Sequence, residues 1–81
     1  MHPRVAAKWP DLTADVVAAA FEHAMRSRSR LDTDPLQWVG VGLDSAGRLL
    51  EWVAVENEPD GWLIFHAAPA TEVTLREVGL K

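Results

Sequence analysis

The sequence predicts an α+β fold, in which an N-terminal helix packs on a three-stranded antiparallel meander and a short C-terminal helix follows. Three observations predict it. Apolar residues recur with the period of a helix in the first third of the chain. From residue 36 onward they alternate with the two-residue period of a strand, and turn-forming residues interrupt this alternation twice. Because the chain has 81 residues, we expect a single domain over residues 1–81.

Composition argues against several classes of protein. The chain has no cysteine, which excludes disulfides and thiolate metal sites and favours a reducing, cytoplasmic setting. Its net charge of −4 argues against broad electrostatic adhesion to nucleic acid, so any contact with RNA must be local. No apolar run is close to the length of a membrane span, which is about 20 residues. The three histidines are far apart in the sequence and do not predict a zinc site. We therefore expect no membrane segment, no metal and no cofactor.

The first 30 residues predict one helix after an irregular start. Residues 1–10 contain two prolines and no clear period, so we expect an irregular or extended lead-in with Trp9 packed back on the domain. Thr13 can cap a helix, and Asp15 suits the positive end of its dipole. The apolar stripe of this helix comprises Val17, Ala20, Phe21, Ala24 and Met25. The helix is expected to fade near residue 29.

Arginines alternate with serines at the predicted end of this helix. Arg26, Arg28 and Arg30 are three of the eight Lys and Arg residues in the chain. Such a cluster can contact phosphate, but cations are also favoured at any helix C-terminus because they complement the negative end of the dipole. The second interpretation is the simpler one, and both stay open.

The rest of the chain predicts a meander and a last helix. The three strand candidates are residues 36–43, 48–56 and 61–67. Two four-residue hairpin loops, 44–47 and 57–60, are rich in Asp, Ser, Gly, Asn and Pro and separate them. Thr71 can cap a short helix through Val78, with Gly79 placed to end it.

Loops of four residues would pair Leu43 with Arg48 and Glu56 with Gly61, and this register sorts the strand residues into two faces. One face is almost entirely apolar and is expected to receive the first helix. It comprises Val39, Val41, Leu43, Leu50, Trp52, Ala54, Leu63, Phe65 and Ala67. The opposite face comprises Trp38, Gly40, Gly42, Leu49, Glu51, Val53, Val55, Trp62, Ile64 and His66.

In this register Glu51 lies directly across from His66 on the second face. The carboxylate could then orient the imidazole or raise its pKa. A shift of two residues would leave the two side chains diagonal on the same face, whereas a slip of one residue would separate them.

The second face is too apolar to be left in water by so small a chain. We expect a partner protein or a second copy of the chain to cover part of it, with the last helix or the lead-in as the alternative. Gly40 and Gly42 would form a trough without side chains, where a backbone or ligand can approach, unless they mark a bulge or bend.

Two segments give the chain a resemblance to a known family. The stretches "VGLDSAGRLLEWVAV" (residues 41–55) and "DGWLIFHAAPAT" (residues 60–71) resemble the small toxins of the BrnT type and their actinobacterial relatives. These belong to the RelE-like ribonuclease toxins of bacterial type II toxin–antitoxin pairs. The likeness covers roughly residues 14–78, and its most specific parts are the turn and strand at 44–50 and the segment at 66–70.

The resemblance implies a reduced RelE-like fold and cleavage of messenger RNA without a metal, by attack of a ribose 2′-hydroxyl on the neighbouring phosphate. Such a reaction needs a base, an acid and a cation near the developing phosphorane charge. The resemblance implies that His66 exchanges the proton and that Arg48 and Arg76 supply positive charge. Glu51 joins them as a candidate catalytic residue because of its predicted position beside His66. The implied partners are a cognate antitoxin and messenger RNA or the ribosome.

Two departures from the family pattern keep an alternative open. Thr71 stands where the relatives have arginine, and the last helix carries Glu72 and Glu77 where a ribonuclease toxin would be basic. These departures favour a noncatalytic module that uses the same sheet face only to bind protein. The hairpin at 44–50 and His66 favour the ribonuclease toxin, and a RelE-shaped toxin with a target other than RNA is a third hypothesis.

Overall fold

The structure, a computed structural model, describes residues 1–34, 36–57 and 61–81. Within them the fold is α+β, as predicted, with three helices and one antiparallel sheet of four strands in the order β1-β2-β3-β4. The elements are α1 (Pro3–Lys8), α2 (Ala14–Glu22), β1 (Ala24–Arg30), β2 (Gln37–Leu43), β3 (Leu49–Asn57), β4 (Gly61–Pro69) and α3 (Glu72–Glu77). The prediction of a three-stranded sheet is therefore wrong. No helix in these ranges is long and apolar enough to cross a bilayer.

The N-terminal segment is a helix and not the irregular lead-in that its prolines predict. Pro3 occupies the first helical position, where its missing N–H costs nothing. The His2 side chain caps the helix by accepting a hydrogen bond from the backbone N–H of Arg4. The backbone N–H of His2 also donates to the carbonyl of Ile64, 2.7 Å away, which fixes α1 against β4.

The predicted long helix is two elements. Its start is as expected, because the Thr13 side chain accepts from the backbone N–H of Val16. The helix ends at Glu22, however, and the Arg-Ser alternation forms β1. In β1 the residues pair with β2 from Ala24 to Arg30, so cross-strand hydrogen bonding prevails over helix propensity. The prediction that the helix continues to residue 29 is wrong.

The first hairpin shifts the register between β2 and β3 by one residue. Leu43 pairs with Leu49 and not with Arg48. The turn explains the shift: the Asp44 side chain accepts hydrogen bonds from the backbone N–H groups of Ala46 and Arg48, and Gly47 has φ +81°. These contacts keep residues 44–48 together as one turn, so pairing starts one residue later than a four-residue loop predicts.

The register between β3 and β4 also differs from the predicted one. Near the second turn Glu56 pairs with Trp62 and not with Gly61. An irregularity at Phe65 then adds a further residue, so that His66 pairs with Val53. Residues 58–60 of the predicted second loop lie outside the described residues.

As a result the sheet has an apolar core on each side, the predicted assignment of the β2 residues to the two faces is wrong, and the last helix, the alternative to a partner protein, packs on the second face. The α1 and α2 side contains Val5, Leu12, Val17, Ala20, Leu50, Trp52, Ala54, Ile64 and Ala67. The α3 side contains Val39, Val41, Val53 and Val78. The one-residue slip is the reason, because it moves the apolar residues of β2 to the opposite side from those of β3.

Other parts of the chain occupy the space above the two glycines of β2, Gly40 and Gly42. A Cβ atom at Gly40 would overlap the indole ring of Trp52. A Cβ atom at Gly42 would overlap the carbonyl oxygen of Ala20 and lie 3.0 Å from that of His23, so this glycine lets the end of α2 rest on the sheet. The interpretation as an open trough is therefore wrong.

The last helix follows the prediction. The Thr71 side chain accepts a hydrogen bond from the backbone N–H of Thr74, and Gly79 adopts φ +84° just after the end. Val78 and the partly buried Leu75 pack on the valines of the sheet. The helix therefore covers the face of the sheet on which Glu51 lies.

Candidate functional site

Glu51 and His66 meet in the structure. The Nε2 atom of His66 lies 2.8 Å from Oε2 of Glu51. The two residues are diagonal neighbours across β3 and β4, since Glu51 itself pairs with Ala68. The imidazole is 40% exposed, whereas the carboxylate is only 8% exposed. The pair is therefore an accessible imidazole backed by a buried carboxylate.

Thr71 holds the other oxygen of this carboxylate. Its backbone N–H and its hydroxyl both donate to Oε1 of Glu51, at 2.8 and 2.7 Å. Burial opposes ionisation of Glu51, but the hydrogen bonds from Thr71 and His66 outweigh it and hold the pKa of the carboxyl below its ordinary value. An ionised carboxylate can only accept hydrogen bonds, so the ring nitrogen that faces it carries the hydrogen.

This arrangement determines the state of the other ring nitrogen. With Nε2 of His66 donating to Glu51, a neutral imidazole has an unprotonated Nδ1. Nδ1 has no hydrogen-bond partner among the residues that the structure describes. A ring nitrogen in this state can accept a proton, and the imidazolium that results is stabilised by the carboxylate behind it.

His66 also lines a cleft of about 520 Å³ between α1 and the edge of β4. Arg4, Lys8, Trp9 and Phe65 also line it, and none of its described lining residues is acidic. Two cationic residues, two aromatic residues and a histidine therefore line one concave surface. Such a surface suits a ligand that has both negative charge and flat rings.

Contacts with β4 position Arg4. Its Nε donates to the carbonyl of Phe65 at 3.1 Å, and its guanidinium carbon lies 5.6 Å from the centre of the Phe65 ring. Neither Arg4 nor Lys8 has a carboxylate partner in the described part of the chain. Their charge is therefore available to a ligand.

The two predicted arginines lie elsewhere. Arg48 is held in the first hairpin, where its guanidinium contacts the carboxylates of Asp44 and Asp11. Arg76 is exposed on α3 and pairs with Glu72. Neither residue lines the cleft beside His66. Of the four predicted site residues, the structure thus brings Glu51 and His66 together and leaves the arginines apart from them.

The sequence interpretation missed the basic residues of the cleft and one role of Thr71. Arg4 and Lys8 are four residues apart, which places them on one side of a helix, but α1 itself was not expected. Thr71 was expected only as a helix cap. Its contact with Glu51 follows the observed register, in which Glu51 pairs with Ala68 and not with His66, and the sequence carries no clear signal for the bulge that contributes to this register.

No three His, Asp or Glu side chains converge into a metal site within residues 1–34, 36–57 and 61–81. Comparisons of the chain with protein-family models, with curated proteins and with solved structures found no match.

Proposed function

We propose that the chain is the toxin of a bacterial type II toxin–antitoxin pair, of the BrnT type within the RelE-like ribonucleases, and that it cleaves messenger RNA in the cleft between α1 and β4. The observation that carries the proposal is the accessible imidazole of His66, held at 2.8 Å by the buried carboxylate of Glu51, in a residue that lines a cleft together with two cationic residues. The residues at 41–55 and 60–71 that resemble the family support the same conclusion.

The cleft offers what cleavage of RNA by its own 2′-hydroxyl requires. Nδ1 of His66 takes the proton of the 2′-hydroxyl as the 2′-oxygen attacks the adjacent phosphorus. Arg4 and Lys8 stabilise the negative charge that develops on the phosphorane. The bond from phosphorus to the 5′-oxygen then breaks, and that oxygen takes a proton from the imidazolium or from water. The products are a 2′,3′-cyclic phosphate and a free 5′-hydroxyl.

The aromatic residues favour a single-stranded substrate. Trp9 and Phe65 line the same cleft, and unpaired bases stack on such rings. A duplex keeps its bases stacked inside, so this contact would not form. The local cluster of cations also explains how an acidic chain could bind RNA without a broad basic surface.

The test is cleavage of a labelled single-stranded RNA by the purified chain in the presence of EDTA. We expect cleavage, and we expect His66→Ala to lower its rate about 10²–10⁴-fold, the usual contribution of a general base. His23→Ala is the matched control, because His23 is exposed at the end of α2 and does not line the cleft. An inactive chain, or equal rates for the chain and His66→Ala, would refute the proposal.

Expression in a bacterial host separates cleavage from binding. Growth arrest with loss of intact messenger RNA is expected for the chain, and neither is expected for His66→Ala or on coexpression with the cognate antitoxin. Growth arrest that persists in His66→Ala would contradict the ribonuclease and support a toxin that acts by binding.

A further inference from the structure

The outer edge of β1 offers unpaired backbone groups. β1 and β4 are the two edges of the sheet within the described residues. The β4 edge is partly covered, because the backbone of His2 and the side chain of Arg4 donate hydrogen bonds to its carbonyls. β1 pairs with β2 on one side only. An edge strand of this kind can pair with another extended chain.

Apart from Met25, which lies at an irregularity in the pairing with β2, the side chains of β1 divide into a charged row and a small row. Arg26, Arg28 and Arg30 lie on the α3 side of the sheet, whereas Ala24 and Ser27 lie on the α2 side. A segment that pairs with β1 would meet these two rows alternately, since successive residues of a strand point to opposite faces.

Only one arginine of the charged row is paired with a carboxylate among the described residues. Arg30 is paired with Glu77 through two hydrogen bonds, at 2.8 and 2.9 Å. Arg26 and Arg28 are exposed and have no carboxylate partner among the described residues, although Arg28 donates to the carbonyl of Glu77. A strand with two available cations in a chain of net charge −4 favours an acidic partner.

The small row opens into an aromatic cleft of about 260 Å³. Ala24 and Ser27 line it together with Phe21, Trp38 and Trp62. Trp62 is 44% exposed, and its ring lies 5.8 Å from that of Phe21 and 6.4 Å from that of Trp38. Because no lining residue in the described part of the chain is charged, an apolar side chain can enter this cleft without desolvating a charge there.

We propose that β1 is the docking edge for an extended segment of a partner protein in which acidic and apolar residues alternate. The acidic side chains pair with Arg26 and Arg28, an apolar or aromatic side chain enters the cleft beside Trp62, and the two backbones continue the sheet. A second copy of the chain does not fit, because its own β1 would bring the same arginines alongside. The proposal holds whether or not the chain cleaves RNA.

A synthetic peptide tests this surface. The probe has about nine residues, enough to span β1, with glutamate alternating with valine and phenylalanine at the central apolar position. On titration into the ¹⁵N-labelled chain, we expect shifts confined to β1 and to the indoles of Trp38 and Trp62, together with slower amide exchange in β1. The version with lysine for glutamate, and the version with methylated backbone nitrogens on its pairing edge, should each bind at least about tenfold more weakly.

Charge reversal on the protein supplies a second readout. The double variant Arg26→Glu and Arg28→Glu should weaken peptide binding at least about tenfold, whereas Arg76→Glu with Lys81→Glu, the same change of charge on α3 and beyond it, should not. Circular dichroism checks that both variants fold.

Any of four results would overturn the proposal. They are no binding at millimolar peptide, shifts outside β1 and its cleft, equal binding of the methylated peptide, and self-association of the chain through β1. If single-stranded RNA shifts the β1 amides and the peptide does not, the edge is a nucleic-acid surface instead. None of these results depends on RNA cleavage, so failure here is distinguishable from failure of the proposed ribonuclease.

Discussion

Replacing Glu51 by glutamine should reverse the tautomer of His66 while keeping a side chain of the same size and its hydrogen bonds to Thr71. The glutamine oxygen can still accept both hydrogen bonds from Thr71, at 2.8 and 2.7 Å in the parent chain. Its NH₂ group then faces Nε2 of the imidazole and can only donate. Nε2 must accept, so the ring hydrogen moves to Nδ1, which the proposed mechanism needs free.

The expected loss of stability is modest, and the loss of activity is large. Two hydrogen bonds from Thr71 change from a charged to a neutral acceptor, at about 1 kcal/mol each, so the free energy of unfolding should fall by about 2 kcal/mol. For a domain of this size that lowers the melting temperature by about 8–16 °C. Cleavage should slow about 10²–10⁴-fold, because a wrong tautomer removes the general base.

Single-turnover cleavage and ¹⁵N spectra of the imidazole measure the two effects on the same sample. Glu77→Gln is the matched control, since Glu77 also accepts hydrogen bonds from a neighbour, Arg30, but is not the carboxylate that holds His66. It should lose stability and still cleave within about threefold of the parent rate, below the range of a general base. Parent-like cleavage by folded Glu51→Gln, or an unchanged tautomer, would refute the reasoning.

Three further outcomes are expected. Gly42→Ala should lower the free energy of unfolding by about 3 kcal/mol or more, measured in urea, because its Cβ overlaps the backbone carbonyl of Ala20; a change below about 1 kcal/mol would contradict this packing. Thr71→Val should lower the free energy of unfolding by about 3 kcal/mol and slow cleavage, since it removes the helix cap and a hydrogen bond to Glu51. Thr71→Ser keeps both contacts, so its free energy of unfolding should stay within about 1 kcal/mol of the parent value. The lowered pKa values of Glu51 and Glu77 mean that their stabilisation is present above the ordinary carboxyl value of 4.5 and is lost as the pH falls through the lower folded values, so the melting temperature should drop below about pH 4.5.

Signals within a few residues predicted local structure well. The caps at Thr13 and Thr71 are where the sequence places them, and Gly79 has the positive φ of a residue that ends a helix. Each of these features depends on a hydrogen bond or a dihedral angle close in sequence. The α+β class followed from the same local periods.

Pairing between distant segments could not be predicted in the same way. Residues 24–30 contain no β-branched residue, and their strand depends on pairing with β2. The turn at Asp44 and the bulge at Phe65 each move the register. The shift at Asp44 is one residue and exchanges the two faces. The bulge and the one-residue shift near the second turn add up to two residues, so Glu51 pairs with Ala68 and stays on the same face as His66.

The chemistry of the cleaved RNA tests the central claim most directly. The purified chain is incubated in EDTA with two otherwise identical oligonucleotides, one of which has a 2′-deoxyribose at the cleaved nucleotide, and the fragments are weighed by mass spectrometry. If His66 acts on the 2′-hydroxyl, the all-ribose strand gives a 2′,3′-cyclic phosphate and a 5′-hydroxyl, and the substituted strand stays intact. Cleavage of the substituted strand at the same bond would contradict this mechanism.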